Sequence, residues 1–312
     1  LRNVQDYILL YIKGLCIGIA DTVPGVSGGT IAFITGIYEE LLHSLHSIDR
    51  DAFGLLLKFR LAELWKKING NFLLTVSAGV ITSLLVLAGV IFNLLIHYPI
   101  LVSSFFFGVI FASVALVLKE IKAWGHKPVI AFIVSAAVGY FITTLSPMET
   151  PNAYWFVFIC GALATCSMIL PGISGAFILV LLGKYQFIIN SLGELNLGVI
   201  FTFAAGGILG LLGFARLITW VLDHYHHVTV AIVAGFILGS LNKVWPWRQG
   251  LEFATTRKGE QVAVFDKSIL PWNFLSETGR DPQLFQAILM MALGVCIVIV
   301  TERIATRLKL KH

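Results

Sequence analysis

The decapeptide "DTVPGVSGGT" at residues 21–30 brings an acid, a proline, three glycines, a serine and two threonines into a stretch that is otherwise apolar. Its centre returns 147 residues later as "PGISGA" at 171–176. Both segments read as helix starts. Proline is tolerated in a first helical turn, where its missing N–H costs nothing. Ser27 and Ser174 are placed to cap, and the glycines let a backbone or ligand approach closely. A helix N-terminus carries unsatisfied N–H donors and a partial positive charge, which suits a phosphate or carboxylate. Pro24, Gly25, Ser27, Gly28, Gly29 and Thr30, with Pro171, Gly172, Ser174 and Gly175, are therefore the candidate phosphate-binding residues. The competing reading is that these small residues merely let a kinked membrane helix pack closely.

Ionisable residues near or within apolar runs form a second group. Asp21 is placed to bind a coupling proton or cation, or simply to cap the helix that follows. Lys13 lies eight residues earlier on the same helix face and is within reach of an ion pair with it. Arg216 is the arginine deep in an apolar run; it is a candidate for the phosphate, against the alternative of snorkelling toward Asp223. Glu39 and Glu40 read as a proton path or as a solvated helix end.

The elements that must carry these residues follow from composition. Of 312 residues 57% are hydrophobic and only 12% charged, with a mean hydropathy of +0.88, so the class is a polytopic, all-α membrane protein. Basic residues exceed acidic ones only by 22 to 17, and no basic patch interleaved with aromatics suggests nucleic acid. The four cysteines lie in apolar runs without a CxxC pair, and "HYHH" at 224–227 lacks the partners of a metal site. No Ser/His/Asp set, phosphate-loop lysine or HExxH motif occurs, so neither an enzyme nor a metal or organic cofactor is expected. The first residues do not read as a cleavable leader, because Lys13 interrupts the apolar run.

Spans are expected at 72–95, 100–118, 129–146, 198–222, 228–245 and 284–301. The motifs sit in two other regions, 8–45 and 154–193. The arm Ile8–Ala20 would rise only about 20 Å, short of a roughly 30 Å hydrocarbon core, so each region is expected to be a helix–break–helix, re-entrant hairpin that turns inside the membrane rather than two full spans. The regions are related: Gly25, Ser27, Gly36 and Tyr38 meet Gly172, Ser174, Gly183 and Tyr185 at the offset of 147. Further on, Gly79, Gly108 and Ser113 meet Gly206, Gly235 and Ser240 at an offset of 127, and Gly139 aligns with Gly294. The chain thus divides into a first repeat (1–147) and a second (148–312), each a hairpin followed by three spans. Insertions differ: 47–66 is amphipathic and basic, expected on the inner surface, and 243–282 carries tryptophans and the hairpin-like "FATTRKGEQVAVF" outside.

With both termini cytoplasmic, the inner segments hold 14 lysines and arginines and the outer ones seven, Lys184 and Lys243 among them; Arg216 remains within a span. Each repeat then crosses an odd number of times, so the second is inverted relative to the first. Inverted repeats with broken helices are the architecture of secondary transporters, with the substrate at the midplane where the breaks meet.

"DTVPGVSGGT" with "PGISGAF" resembles the bacterial polyprenyl-phosphate transporters, long known as a domain of unknown function, over nearly the whole chain. The resemblance implies recycling of undecaprenyl phosphate, the carrier lipid of cell-wall synthesis, from the outer to the inner leaflet of the cytoplasmic membrane. It carries over to Asp21, Pro24, Gly25, Ser27, Gly28, Gly29 and Thr30 and to Pro171, Gly172, Ser174 and Gly175; Arg216 rests on chemistry alone. The partner expected is thus a membrane lipid, moved by alternating access, with a proton or sodium ion as the coupling candidates. A small-anion channel or exchanger is the alternative, and a membrane lipid phosphatase a more distant one. "GGILGLLG" at 206–213 could pack helices within one chain or between the subunits of a homo-oligomer.

Overall fold

The computed structural model describes residues 2–23, 25–255 and 261–309. Helix α1 (Val4–Thr22) begins in a reciprocal cap: the Asn3 side chain accepts from the Asp6 N–H and the Asp6 carboxylate from the Asn3 N–H. This cap starts the helix in polar sequence, so α1 has 19 residues and rises about 28 Å, longer than the 13-residue apolar run alone suggested. The returning arm is not one helix. It is split into α2 (Gly28–Ile34) and α3 (Tyr38–His46) by a turn in which Gly36 has φ +70°. Two short helices follow, α4 (Arg50–Leu57) and α5 (Leu61–Lys67), with Phe53, Leu57, Phe59 and Leu61 exposed beside basic residues.

Helix α6 (Gly70–Thr82) runs through a π turn (Ser83–Leu87) into α7 (Ala88–His97), then come α8 (Pro99–Lys119) and α9 (His126–Thr144). The second half repeats the order. Helix α10 (Tyr154–Ile169) is followed by the short α11 (Gly175–Leu181) and by α12 (Tyr185–Gly193), which is bent 110° from α11 at Gly183. The long helices α13 (Leu197–His224), α14 (His226–Ser240) and α16 (Leu284–Lys309) complete it. Between α14 and α16 lie a 3₁₀ turn (Leu241–Val244), an antiparallel pair β1 (Arg248–Thr255) and β2 (Gln261–Ser268), and α15 (Pro271–Thr278). The Trp245 and Trp247 indoles donate to the Ile269 and Pro282 carbonyls and fasten this insertion to the bundle. Residues 256–260 of the expected hairpin lie outside the described residues.

Among the described residues six helices are long and apolar enough to cross a membrane, and large apolar side chains such as Leu85, Phe201 and Phe285 point outward from them. The chain is a multi-pass, mostly helical membrane protein.

Glycines set the helix crossings. A side chain on Gly14 would overlap the Val76 carbonyl of α6, and one on Gly79 the Tyr11 carbonyl of α1. The second half uses the matching positions: Gly161 meets the Phe203 carbonyl and Gly206 the Phe158 carbonyl. Residues 14 and 11 lie 147 before 161 and 158, and 76 and 79 lie 127 before 203 and 206, so the same crossing is built twice. Gly206, Gly207 and Gly210 are all taken up by α10 within the chain. The remaining long helices pair between the halves, α8 with α16 through Gly108 and Gly294, and α9 with α14 through Gly139 and Gly235.

Candidate functional site

The two sequence breaks meet. After α1 the chain turns at Gly25, whose φ of +88° suits glycine, and α2 starts at Gly28. The Ser27 Oγ accepts from the Gly29 N–H at 3.2 Å and donates to the Leu170 carbonyl, at the end of α10, at 3.3 Å. A Cβ on Gly29 would lie 2.8 Å from the Ile169 carbonyl oxygen and 2.9 Å from that of Met168, so only glycine lets this tip rest on the other. In the second half Pro171 is fully buried, Gly172 has φ +109° and lies against α14 at Ile237 and Ser240, and the Ser174 Oγ accepts from the Phe177 N–H at 3.2 Å. Gly28 and Gly175 each sit on the helix preceding the break, against Asp21 and against Ala164 and Met168. Pro24 lies outside the described residues.

The tips differ in charge. The Asp21 Oδ1 accepts from the Gly28 N–H at 2.7 Å, which is the capping role among its two expected ones. At the other end of α2 the Lys13 ammonium donates to the Thr35 carbonyl at 2.7 Å. An acid at the N-terminus and a base at the C-terminus both match the dipole of α2. At the second tip the position of Asp21 is taken by Met168 of α10, and the serine cap of α11 reaches the third N–H instead of the second. Thr30 Oγ1 is fully buried with no hydrogen-bond partner among the described residues.

Other candidates are placed elsewhere. Arg216 lies six residues, about 9 Å along the axis, beyond Gly210, where α13 passes the end of α10. Its guanidinium is exposed and donates to the Ile48 carbonyl at 2.9 Å, beside Asp49 and Asp51, and it is not brought to the tips. Glu40 accepts from Arg2 at 2.5 Å and from Asn69 at 2.8 Å, and Glu39 lies 3.9 Å from the His226 imidazole. Both belong to a polar helix end.

Two residues enter that the sequence did not single out. Lys243, in the 3₁₀ turn after α14, passes its stem over the first tip: a Cβ on Gly25 would lie 2.7 Å from the Lys243 Cγ. Its ammonium stands 4.8 Å from the centre of the Phe177 ring on α11, so it touches both hairpins. The signal was present, since the span drawn at 228–245 contains Lys243 and an ionisable residue inside a span is a functional candidate. Ser83, at the π turn, is fully buried without a hydrogen-bond partner among the described residues and packs on Gly18, three residues before Asp21. Its signal is conformational and has no counterpart in residue type.

A family described as undecaprenyl phosphate translocase-like matches residues 17–262. A polyprenyl-phosphate transporter of Vibrio cholerae is 39% identical over 305 residues, covering 98% of this chain and 99% of its own length. A polyprenyl-phosphate transporter of Staphylococcus aureus is 28% identical over 254 residues, covering 75% of this chain and 85% of its own. No solved structure matches the chain.

Proposed function

The chain belongs to the undecaprenyl phosphate translocase-like family, and on that premise we propose that it carries a polyprenyl phosphate across the membrane, with the phosphate held where the two hairpin tips meet. It is a transporter rather than an enzyme, as its family and its named relatives are. The observation that carries the reading is the contact of the tips: two breaks 147 residues apart join through Ser27 and Leu170, inside a bundle whose outer face is apolar. Broken helices meeting within the membrane supply polar backbone for a headgroup while the isoprenoid stays in lipid.

The finer reading follows from the loop charges and the doubled crossings. The halves, 1–147 and 148–312, are inverted repeats with both termini in the cytoplasm of a bacterium, and the hairpins are re-entrant. Transport runs from the outer to the inner leaflet by alternating access and recycles the carrier lipid of cell-wall synthesis. Asp21, at the charged tip, is where a coupling proton or sodium ion would act.

The test is a proteoliposome assay in which a labelled prenyl phosphate on one leaflet is followed as it becomes accessible on the other. Movement dependent on the protein is expected. Chloride flux without movement of the lipid would sink the reading in favour of a small-anion channel, and release of inorganic phosphate would make the protein a phosphatase.

A further inference from the structure

We propose that α4 and α5 form a docking surface for the anionic phospholipid headgroups of the adjoining leaflet, with their apolar edge sunk among the acyl chains. The two helices are an addition to the repeat. Helices α3 (Tyr38–His46) and α12 (Tyr185–Gly193) match at the offset of 147, and α6 and α13 begin 127 apart at residues 70 and 197. Between them the second half closes the connection with residues 194–196, whereas the first half takes 47–69. The shared fold therefore does not call for α4 and α5.

What they present is apolar. Phe53, Leu56 and Leu57 lie three and four residues apart on one face of α4, and Leu61 and Trp65 lie four apart on α5. Phe59 stands at the corner between the helices, 85% exposed on a backbone with φ +55°. All six are exposed, while Ala52, on another face of α4, is buried. An apolar patch of this kind, rimmed by polar residues, marks a binding surface.

Position and charge identify the occupant as a lipid leaflet rather than a second protein. A Cβ on Gly70 would overlap the Trp65 ring, and the Trp65 indole donates to the Asn71 side chain at 2.8 Å, so α5 is pinned to the first turn of α6. Helix α6 opens the first span, and tryptophan is favoured at the level where spans leave the hydrocarbon. The exposed apolar surface continues onto α6 at Leu74, one turn beyond Asn71. Residues 49–67 hold five bases against three acids. Each acid is drawn to a base of the same segment: Lys67 holds Asp49 and Asp51, and the Arg60 Nε donates to Glu63 at 2.6 Å. Arg50, Lys58 and Lys66, all exposed, set the outward charge. Basic amphipathic helices beside a span are suited to anionic lipid.

The test is hydrogen exchange of the full chain in nanodiscs holding one copy each, made from phosphatidylcholine alone or from phosphatidylcholine with phosphatidylglycerol. Exchange of 50–67 is expected to slow about fivefold or more in the anionic discs, the effect of one basic residue at an anionic surface. Lys58→Gln with Lys66→Gln should remove the difference between the two lipids, with exchange in α8 and α14 unchanged as the control for folding. Leu57→Ser with Phe59→Ser should raise exchange of 50–67 in both lipids. Equal exchange of the wild-type segment in both kinds of disc overturns the proposal and leaves transport untouched, since no prenyl phosphate is present. A lipid dependence that survives the two lysine changes overturns it too. Protection that appears only in discs holding two copies assigns the face to a second copy of the chain and overturns it as well.

Discussion

Ser27 and Leu170 are 143 residues apart in the chain, yet the serine hydroxyl donates to the leucine carbonyl across 3.3 Å. The same hydroxyl caps α2, whereas Ser174 only caps α11. Ser27→Ala is therefore expected to cost more than Ser174→Ala, which should lose about 1 kcal/mol as an N-cap. Unfolding in detergent measures both, and equal losses would show that the bridge between the tips contributes nothing. Lipid-phosphate affinity should fall in the double variant.

Asp21 separates a cap from a charge. Asn keeps the acceptor for the Gly28 N–H, and Ala removes it. Asp21→Ala should destabilise by about 1–2 kcal/mol and Asp21→Asn by much less. If the carboxylate also carries a coupling ion, Asp21→Asn will fold normally and fail in ion-driven transport; full activity in that variant removes Asp21 from coupling.

The glycine crossings predict matched penalties. Gly79→Leu and Gly206→Leu each drive a side chain into a facing backbone carbonyl, of Tyr11 and Phe158 respectively. Each should lose roughly 1–3 kcal/mol or more by overpacking. Thermal unfolding of the two variants should agree closely; a variant that is tolerated at one site and not at the other would break the equivalence of the halves.

Outside the bundle, Lys67 clasps Asp49 at 2.6 Å and Asp51 at 3.6 Å. The Lys67 ammonium, with the Ala52 N–H, holds the Asp49 carboxyl below its ordinary 3.8, and Asp49 in turn raises Lys67 above its ordinary 10.5. A depressed acid stabilises above its unfolded pKa and loses that contribution as pH falls through its folded value; the raised base loses its contribution as pH rises through its own. The clasp should be complete between about pH 4 and 10 and open on either side. Hydrogen exchange of 50–67 should rise below pH 4, and also in high salt at neutral pH because the pair is exposed to solvent. Exchange that is indifferent to both would remove the clasp as the tether of α4 and α5.

Arg216→Ala should leave the tips in place and free the segment it holds. Its bond to the Ile48 carbonyl joins α13 to the turn before α4. Faster exchange at Ile48–Asp51 is expected, with prenyl-phosphate affinity near wild type. A loss of affinity without a change in exchange would return Arg216 to the binding site.

Much of this arrangement could be read from residue types. Paired glycines 147 and 127 apart mark crossings that require backbone contact, and a missing side chain leaves a plain trace in sequence. The bend after each tip was visible as the aligned Gly36 and Gly183, but that both have positive φ, and so end α2 and α11 after seven residues, is a backbone property that alignment alone does not convey. Lys13 and Arg216 look like partners for acids or anions, but each is bound to a carbonyl oxygen, and every residue offers one. Lys243 was hidden for the opposite reason: near the end of a span a lysine reads as a loop charge until the hairpin beneath it is known.

The pairing of α8 with α16 and of α9 with α14 has a consequence for how such a chain arises. Neither half closes its own core, because the glycine faces of its last two long helices find their partners in the other half. Half a gene would have to encode a protomer that completes itself only by embracing a second copy. The two halves are thus locked together by four exchanged helices, α8, α9, α14 and α16, while the first helix of each hairpin crosses the long helix that follows it in its own half, α1 on α6 and α10 on α13.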